Sequence, residues 1–263
     1  MTSVVDLQEM AFNALDELCS SLSPEEWATT TDCPGWSVQD NLSHIIGTES
    51  TILGRPAPEH DPGSKPWIRN PIGASNEVHV DYRRSRTPGE VLDEFREVTG
   101  ERMKILRSMS ESDLDGESWT PIGPGKVRDL VAIRVMDCWV HEQDIRRAVG
   151  RPGELTGPVA QHAYGRHAGA MGFVVGKKVG APEGTTVVVD VAGFGEIPVV
   201  VEGRARVLDT APENPTVKLS MDLETFNRLC CGRGDPKTVG QAVKVEGDAE
   251  LGSRIVENMN FMV

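Results

Sequence analysis

Asp137 and His141 stand four residues apart in a long amphipathic segment. His44 ends an earlier run, Trp36-Ser37-Val38-Gln39-Asp40-Asn41-Leu42-Ser43-His44. Residues four apart on a helix project from one face, so Asp137 and His141 can grip one ion, with His44 as a third ligand from another helix. Two imidazoles and a carboxylate suit Zn²⁺ or another divalent transition metal. Three protein ligands leave a coordination position open, and an open position implies chemistry, whereas closed four-ligand sites are usually structural.

The apolar pattern tests these positions. From about Val127 to Val149, the residues Val127, Leu130, Val131, Cys138, Ile145, Ala148 and Val149 form one stripe at helical period. Asp137 and His141 fall on its flank, where burying a carboxylate requires a cation or donors. An ion pair with Arg134 or Arg128 would also satisfy Asp137. His44 lies well off the stripe of its own helix, Val38, Leu42, Ile45, Ile46, Ile52 and Leu53, and by position alone reads as an exposed histidine.

The first half of the chain reads as four long helices. The first spans about Val5 to Leu22, and a short turn opens at Ser23-Pro24. The second begins at Ser37 with a capping-box pattern, Ser37-x-x-Asp40, and runs to about Leu53. The third extends from Thr87-Pro88 to about Met109, and the fourth carries Asp137 and His141. Four such helices suggest a bundle. Between the second and third lies a proline-punctuated stretch, Gly54 to Arg86, read either as a solvated loop or as a cover for an anion site built from Trp67, His79, Tyr82, Arg83, Arg84 and Arg86.

After Gly150-Arg151-Pro152-Gly153 the pattern changes. A helix is expected over about Val159 to Val179. Strands follow at Thr185 to Val191, Ile197 to Val201 and Thr216 to Met221, then a helix over Leu223 to Cys231, an edge strand at Val243 to Glu246 and a closing helix from Asp248 to Asn258. This is an α+β module. Neither Gly193-Phe194-Gly195 nor Gly232-Arg233-Gly234 has the strand-to-helix spacing that cradles a dinucleotide.

The chain has 263 residues and a net charge of −13, which argues against nucleic acid or an anionic membrane surface as partner. No apolar run is long enough to span a bilayer. Met1 to Leu7 contains no basic residue and the next segment is broken by Glu9, Asn13, Asp16 and Glu17, so no secretion-signal pattern is expected. Five cysteines, Cys19, Cys33, Cys138, Cys230 and Cys231, lack metal-finger spacing and suit reduced thiols. Adjacent Cys230 and Cys231 are expected in a helical core. The expected location is the cytoplasm.

Three stretches together resemble the mycothiol-dependent maleylpyruvate isomerase family: Cys33-Pro34-Gly35-Trp36-Ser37-Val38 leading to His44, Asp137-x-x-x-His141-Glu142-Gln143-Asp144-Ile145-Arg146, and Gly247-Asp248-Ala249-Glu250-Leu251. The resemblance covers nearly the whole chain. It implies an α+β protein with a DinB-like four-helix metal-binding domain over 1–155 and a small sterol-carrier-like α+β domain over 156–263. It also implies a divalent metal, usually zinc, on His44, Asp137 and His141, and mycothiol as thiol cosubstrate. The family carries Glu where this chain has Asp137, and the shorter reach bears on where a metal sits and on substrate specificity. The family's Gly-Arg motif falls on Gly232-Arg233, which makes Arg233 a candidate catalytic residue. Its planar fork suits a substrate carboxylate.

The function implied is thiolate chemistry on a small electrophile, either S-transfer or cis–trans isomerisation. Two alternatives compete: an Fe(II) enzyme with a two-histidine, one-carboxylate site, and a non-enzymatic apolar-ligand binding protein whose metal merely stabilises the helices.

Overall fold

The computed structural model describes residues 2–262 and divides into two compact units, 1–159 and 160–263. The first unit is built from α1 (Val4–Ser20), α2 (Pro24–Trp27), α3 (Val38–Ile52), α4 (Pro71–Arg83), α5 (Pro88–Ser108) and α6 (Glu111–Leu114). A hairpin, β1 (Glu117–Thr120) and β2 (Gly123–Lys126), then leads into α7 (Val127–Ala148). Capping boxes begin α1, α2, α3, α5 and α6, at Ser3, Ser23, Ser37, Thr87 and Ser110. Each pairs a hydroxyl with a carboxylate three residues on and satisfies amide hydrogens that the helix leaves without partners.

Helices α1, α3, α5 and α7 pack on one another around a core of Phe12, Leu15, Leu42, Ile45, Ile46, Phe95, Val98, Cys138 and Ile145. Helix α7 is buried on every side between Leu130 and Ile145, well beyond the expected stripe, because Val135, Met136, Trp139 and Val140 are covered as well. A helix covered all round must bury polar positions too, and α7 buries Arg134, His141, Glu142, Gln143 and Asp144.

Helix α4 corrects the reading of Gly54 to Arg86 as loop. Asn70 caps it, accepting from the Gly73 amide at 2.8 Å, and Pro71 takes the first helical position. Its buried side carries Glu77, His79, Val80 and Arg83, too polar a face to register as amphipathic. It rests against α3 at Gly47, where a Cβ would lie 2.4 Å from that of His79. The anion-cover reading is corrected as well, since the three arginines already hold carboxylates. Arg83 donates to both oxygens of Glu94 at 2.9 and 2.6 Å, Arg86 donates to Glu94 at 2.6 Å, and Arg84 pairs with Glu77 at 2.8 Å and Asp40 at 3.2 Å.

Helix α8 (Gly157–Phe173) crosses the division and continues as a π-turn, Val174–Lys178. In the second unit, β3 (Thr186–Val191), β4 (Gly195–Glu202), β5 (Arg204–Val207), β6 (Val217–Met221) and β7 (Lys244–Gly247) form one sheet in the order β5-β4-β3-β6-β7. Strands β3 and β6 are parallel and the other neighbours antiparallel, with Val189 opposite Ile197 and beside Leu219. Helices α9 (Leu223–Cys231), α10 (Pro236–Val239) and α11 (Ala249–Glu257) complete the unit, and α11 packs on β6 and β7. Cys230 and Cys231 are buried and free of disulfides. Strand β5 and the β1–β2 hairpin are additions to the sequence reading, being short and polar or glycine-rich.

His167 on α8 is fully buried, with Nε2 3.0 Å from Asn227 Oδ1 and its ring edge-on to Phe226 and Phe261. Burial pushes its pKa down from 6.5 to about 4. The native ring therefore stays neutral while the unfolded ring takes up a proton as pH falls below 6.5, so His167 costs stability progressively from pH 6.5 down to about 4. The full loss is on the order of 3 kcal/mol at about 1.4 kcal/mol per pKa unit. Urea titrations should show wild type losing its stability advantage over His167→Gln across that window; a pH-independent difference would remove His167 as the cause.

Candidate metal centre

Two helices bring the three residues singled out in the sequence together. Helix α3 presents His44, and α7 presents Asp137 and His141 one turn apart. The three ligand atoms lie within 4.8 Å of one another. His44 Nε2 is 3.2 Å from Asp137 Oδ2, and His141 Nε2 is 3.7 Å from Asp137 Oδ1. One carboxylate thus stands between two imidazoles, each facing a different oxygen. The expectation that His44 is exposed is corrected: it is 6% accessible, because Trp36 lies over it with ring centroids 5.3 Å apart. The same indole is 5.9 Å from the His141 ring, so it covers both imidazoles.

The electrostatics suit a cation. Burial, against the pull of Asp137, pushes the His44 pKa down to about 4, which leaves the imidazole neutral as metal ligation requires. Its Nδ1 is buried with no hydrogen-bond partner among the described residues. Burial would raise the Asp137 pKa, but the Arg134 guanidinium, then His44 and His141, hold it well below the usual carboxylate range. Arg134 donates to Asp137 Oδ2 and, at 2.7 Å, to Glu49 Oε1, while Arg102 approaches Glu49 Oε2 at 3.3 Å. Glu49 and Asp137 are thus balanced by Arg102 and Arg134, and the Nε2 atoms of His44 and His141 face the Asp137 carboxylate. That donor set fits a divalent metal.

A second group of ligand types shares His141 through its other ring nitrogen. Cys33 Sγ, Asp144 and His141 Nδ1 lie together, with Cys33 Sγ 3.1 Å from Asp144 Oδ2 and His141 Nδ1 3.4 Å from the same oxygen. Asn41 Oδ1 is closer to His141 Nδ1, at 2.7 Å. Asn41 lies three residues before His44, and Asp144 three after His141. Both fall on the ligands' helix faces, a spacing the sequence offered as a signal. Glu77 escaped notice: its buried carboxylate accepts from the indole nitrogens of Trp36 and Trp67, each at 3.0 Å. Gly35 permits this roof, since its φ is +74° and a Cβ there would lie 2.5 Å from the Trp67 ring.

Arg233 belongs to the second unit. It follows Gly232, whose φ of +65° ends α9, and its half-buried guanidinium donates to the Cys231 carbonyl at 3.0 Å.

Comparison with known proteins adds three findings. Residues 9–146 match the family described as the mycothiol maleylpyruvate isomerase N-terminal domain, and residues 161–254 match that isomerase's C-terminal domain. Two uncharacterized proteins of Mycobacterium tuberculosis, from strains CDC 1551 / Oshkosh and ATCC 25618 / H37Rv, are 25% identical over 141 residues. That match takes in 52% of this chain, and the chain spans 52% of the length of each of these relatives. Two crystal structures share the fold across 94% of this chain and 96% of theirs. One is a mycothiol-dependent maleylpyruvate isomerase, at TM-score 0.56 and 18% identity, and the other a histidine-to-alanine mutant of such an isomerase, at 0.61 and 16%.

The charge network beneath the centre makes a stability prediction. Glu49→Leu leaves Arg102 and Arg134 buried with one carboxylate partner removed, and breaking a buried pair in this way costs roughly 3–5 kcal/mol. Urea denaturation should register that loss for the first unit. A loss under about 1 kcal/mol, the range of exposed pairs, would mean that water replaces the missing carboxylate.

Proposed function

The chain belongs to the mycothiol maleylpyruvate isomerase family, matched in both domains, and on that premise we propose that it is a zinc enzyme using mycothiol on a small electrophile. The supporting observation is the convergence of His44, Asp137 and His141, which would hold the metal. Bound there with a coordination position open, a divalent cation supplies the Lewis acidity that ionises a thiol near neutral pH.

The protein's own groups do the rest. Burial keeps His44 neutral and ready to donate its lone pair. Arg134 keeps Asp137 ionised, and Trp36, held by Glu77, shields both imidazoles from water. The thiolate form is the nucleophile. Its sulfur bonds to one carbon of an activated double bond while the electron pair moves onto the electron-withdrawing group. Rotation about the carbon–carbon bond, now single, return of the electron pair and cleavage of the C–S bond release the thiolate and give cis–trans isomerisation. Protonation of the adduct at carbon in place of reversal, by a proton equivalent to the one the thiol released, gives S-transfer. Arg233 would bind a carboxylate of an anionic substrate, and the protein would act in the cytoplasm.

Purified protein should carry about one equivalent of zinc, and His141→Ala should lose it together with thermal stability, because a ligand bound only by the native state stabilises that state. Mycothiol added to the zinc form should release a proton, read by calorimetry in buffers of different ionisation heat. Full metal occupancy in His44→Ala, His141→Ala protein, or failure of mycothiol to bind, would overturn the reading. Iron in place of zinc, with oxygen-dependent turnover, would move it to an Fe(II) enzyme.

Arg233→Lys keeps the charge and loses the fork. It should lower kcat/KM for a carboxylate substrate about tenfold or more while leaving zinc content and the melting temperature unchanged. Unaltered kinetics in both Arg233→Lys and Arg233→Ala would take Arg233 out of the reaction.

A further inference from the structure

The geometry points to Asn41 as the residue that selects the tautomer of His141, and so decides which of its nitrogens can bind a metal. This rests on the proposed metal centre and assigns its two neighbouring clusters different tasks.

The argument begins at the far end of the Asn41 amide. Its Nδ2 donates to the Ser37 carbonyl at 2.9 Å, a group that can only accept. The second Nδ2 contact is Thr31 Oγ1 at 3.0 Å, and that hydroxyl directs its own hydrogen to the Trp36 carbonyl at 2.9 Å. Both partners therefore require donors from Asn41, which fixes the NH₂ end of the amide toward them. Oδ1 is left facing His141 Nδ1 at 2.7 Å. An amide oxygen can only accept, so His141 Nδ1 carries the proton. Asp144 Oδ2, at 3.4 Å from the same nitrogen, is a second acceptor, held in place by Arg147 on its other oxygen. Cys33 Sγ lies 3.9 Å from Nδ1 and has Asp144 Oδ2 closer, at 3.1 Å, as its acceptor.

In the neutral ring with its proton on Nδ1, Nε2 would turn its lone pair to Asp137 Oδ1 across 3.7 Å, acceptor against acceptor. A cation satisfies that pairing, whereas a neutral hydrogen bond does not. The Cys33, His141 and Asp144 group, by contrast, meets His141 at its protonated nitrogen, which is closed to a metal. That group instead forms the outer layer that orients the ligand, and removing such a partner weakens metal binding by about 10–100-fold.

Two substitutions separate positioning from mere structural support. Asn41→Leu removes both the acceptor for His141 and the donors to Ser37 and Thr31. Asn41→Asp removes the donors and keeps an acceptor. Zinc affinity, measured by competition with a chromophoric chelator, should fall about 10–100-fold in Asn41→Leu and stay within about threefold of wild type in Asn41→Asp, although both variants melt at lower temperature. Long-range nitrogen–proton NMR of the metal-free protein should show His141 protonated on Nδ1 in wild type and Asn41→Asp, and a larger share of the Nε2-protonated form in Asn41→Leu, where Asp144 at 3.4 Å remains as an acceptor. Affinity that tracks melting temperature alike in both variants would overturn the assignment, as would an Nε2-protonated ring in wild type. If wild type binds no zinc, the metal reading fails, while the tautomer spectra still decide the role of Asn41.

Discussion

A carboxylate taken out of water must bring its counter-charge with it, and in this protein that demand fixes how the helices meet. Arg134 serves Glu49 on α3 and Asp137 on its own helix, and Arg102 on α5 completes the charge balance at Glu49. The network joins three helices. It also sets the rotation of α7, because the turn that presents Arg134 to Glu49 also points Asp137 and His141 at α3, where His44 waits. Charges buried this way gain little stability over an apolar core of the same volume. What they supply is register, since moving α7 along α3 would part Arg134 from Glu49 and leave both buried without that partner.

A second buried carboxylate does the same for the roof. Glu77 on α4 accepts from Trp36 and Trp67 and pairs with Arg84, which also reaches Asp40 in the capping box of α3. The excursion between α3 and α5 is thereby tied to the helix that carries His44. The tie runs through Trp36, so the packing that buries the two imidazoles depends on a helix whose sequence gives little sign of packing at all.

Much of this was legible in the sequence and some was not, for identifiable reasons. The helices with capping boxes and apolar periodicity, α1, α3 and α5, lie within a residue or two of their expected ends, as local rules dictate. Asp137 and His141 were found because their spacing is a property of one helix. His44 read as exposed because its cover comes from Trp36, held by Glu77 forty-one residues further along, and no local pattern reports such a partner. Helix α4 was read as loop because its buried face is Glu77, His79 and Arg83; polar residues that pair only in the folded state leave no hydrophobic period. Strand β5, with Arg204 and Arg206, leaves no such period either, because it is a short edge strand with no buried residue.

The substitution of Asp137 for the glutamate implied by family resemblance can now be judged physically. A side chain one methylene shorter keeps its oxygens nearer its own helix, yet Oδ2 still reaches His44 at 3.2 Å. It does so because the division of labour between the two oxygens is sharp. Oδ2 takes Arg134 and His44, and Oδ1 is turned to His141. Arg134 reaches this short carboxylate from one turn earlier on the same helix. The short carboxylate and the buried guanidinium thus belong to one arrangement, which runs from Glu49 through Arg134 and Asp137 to His44.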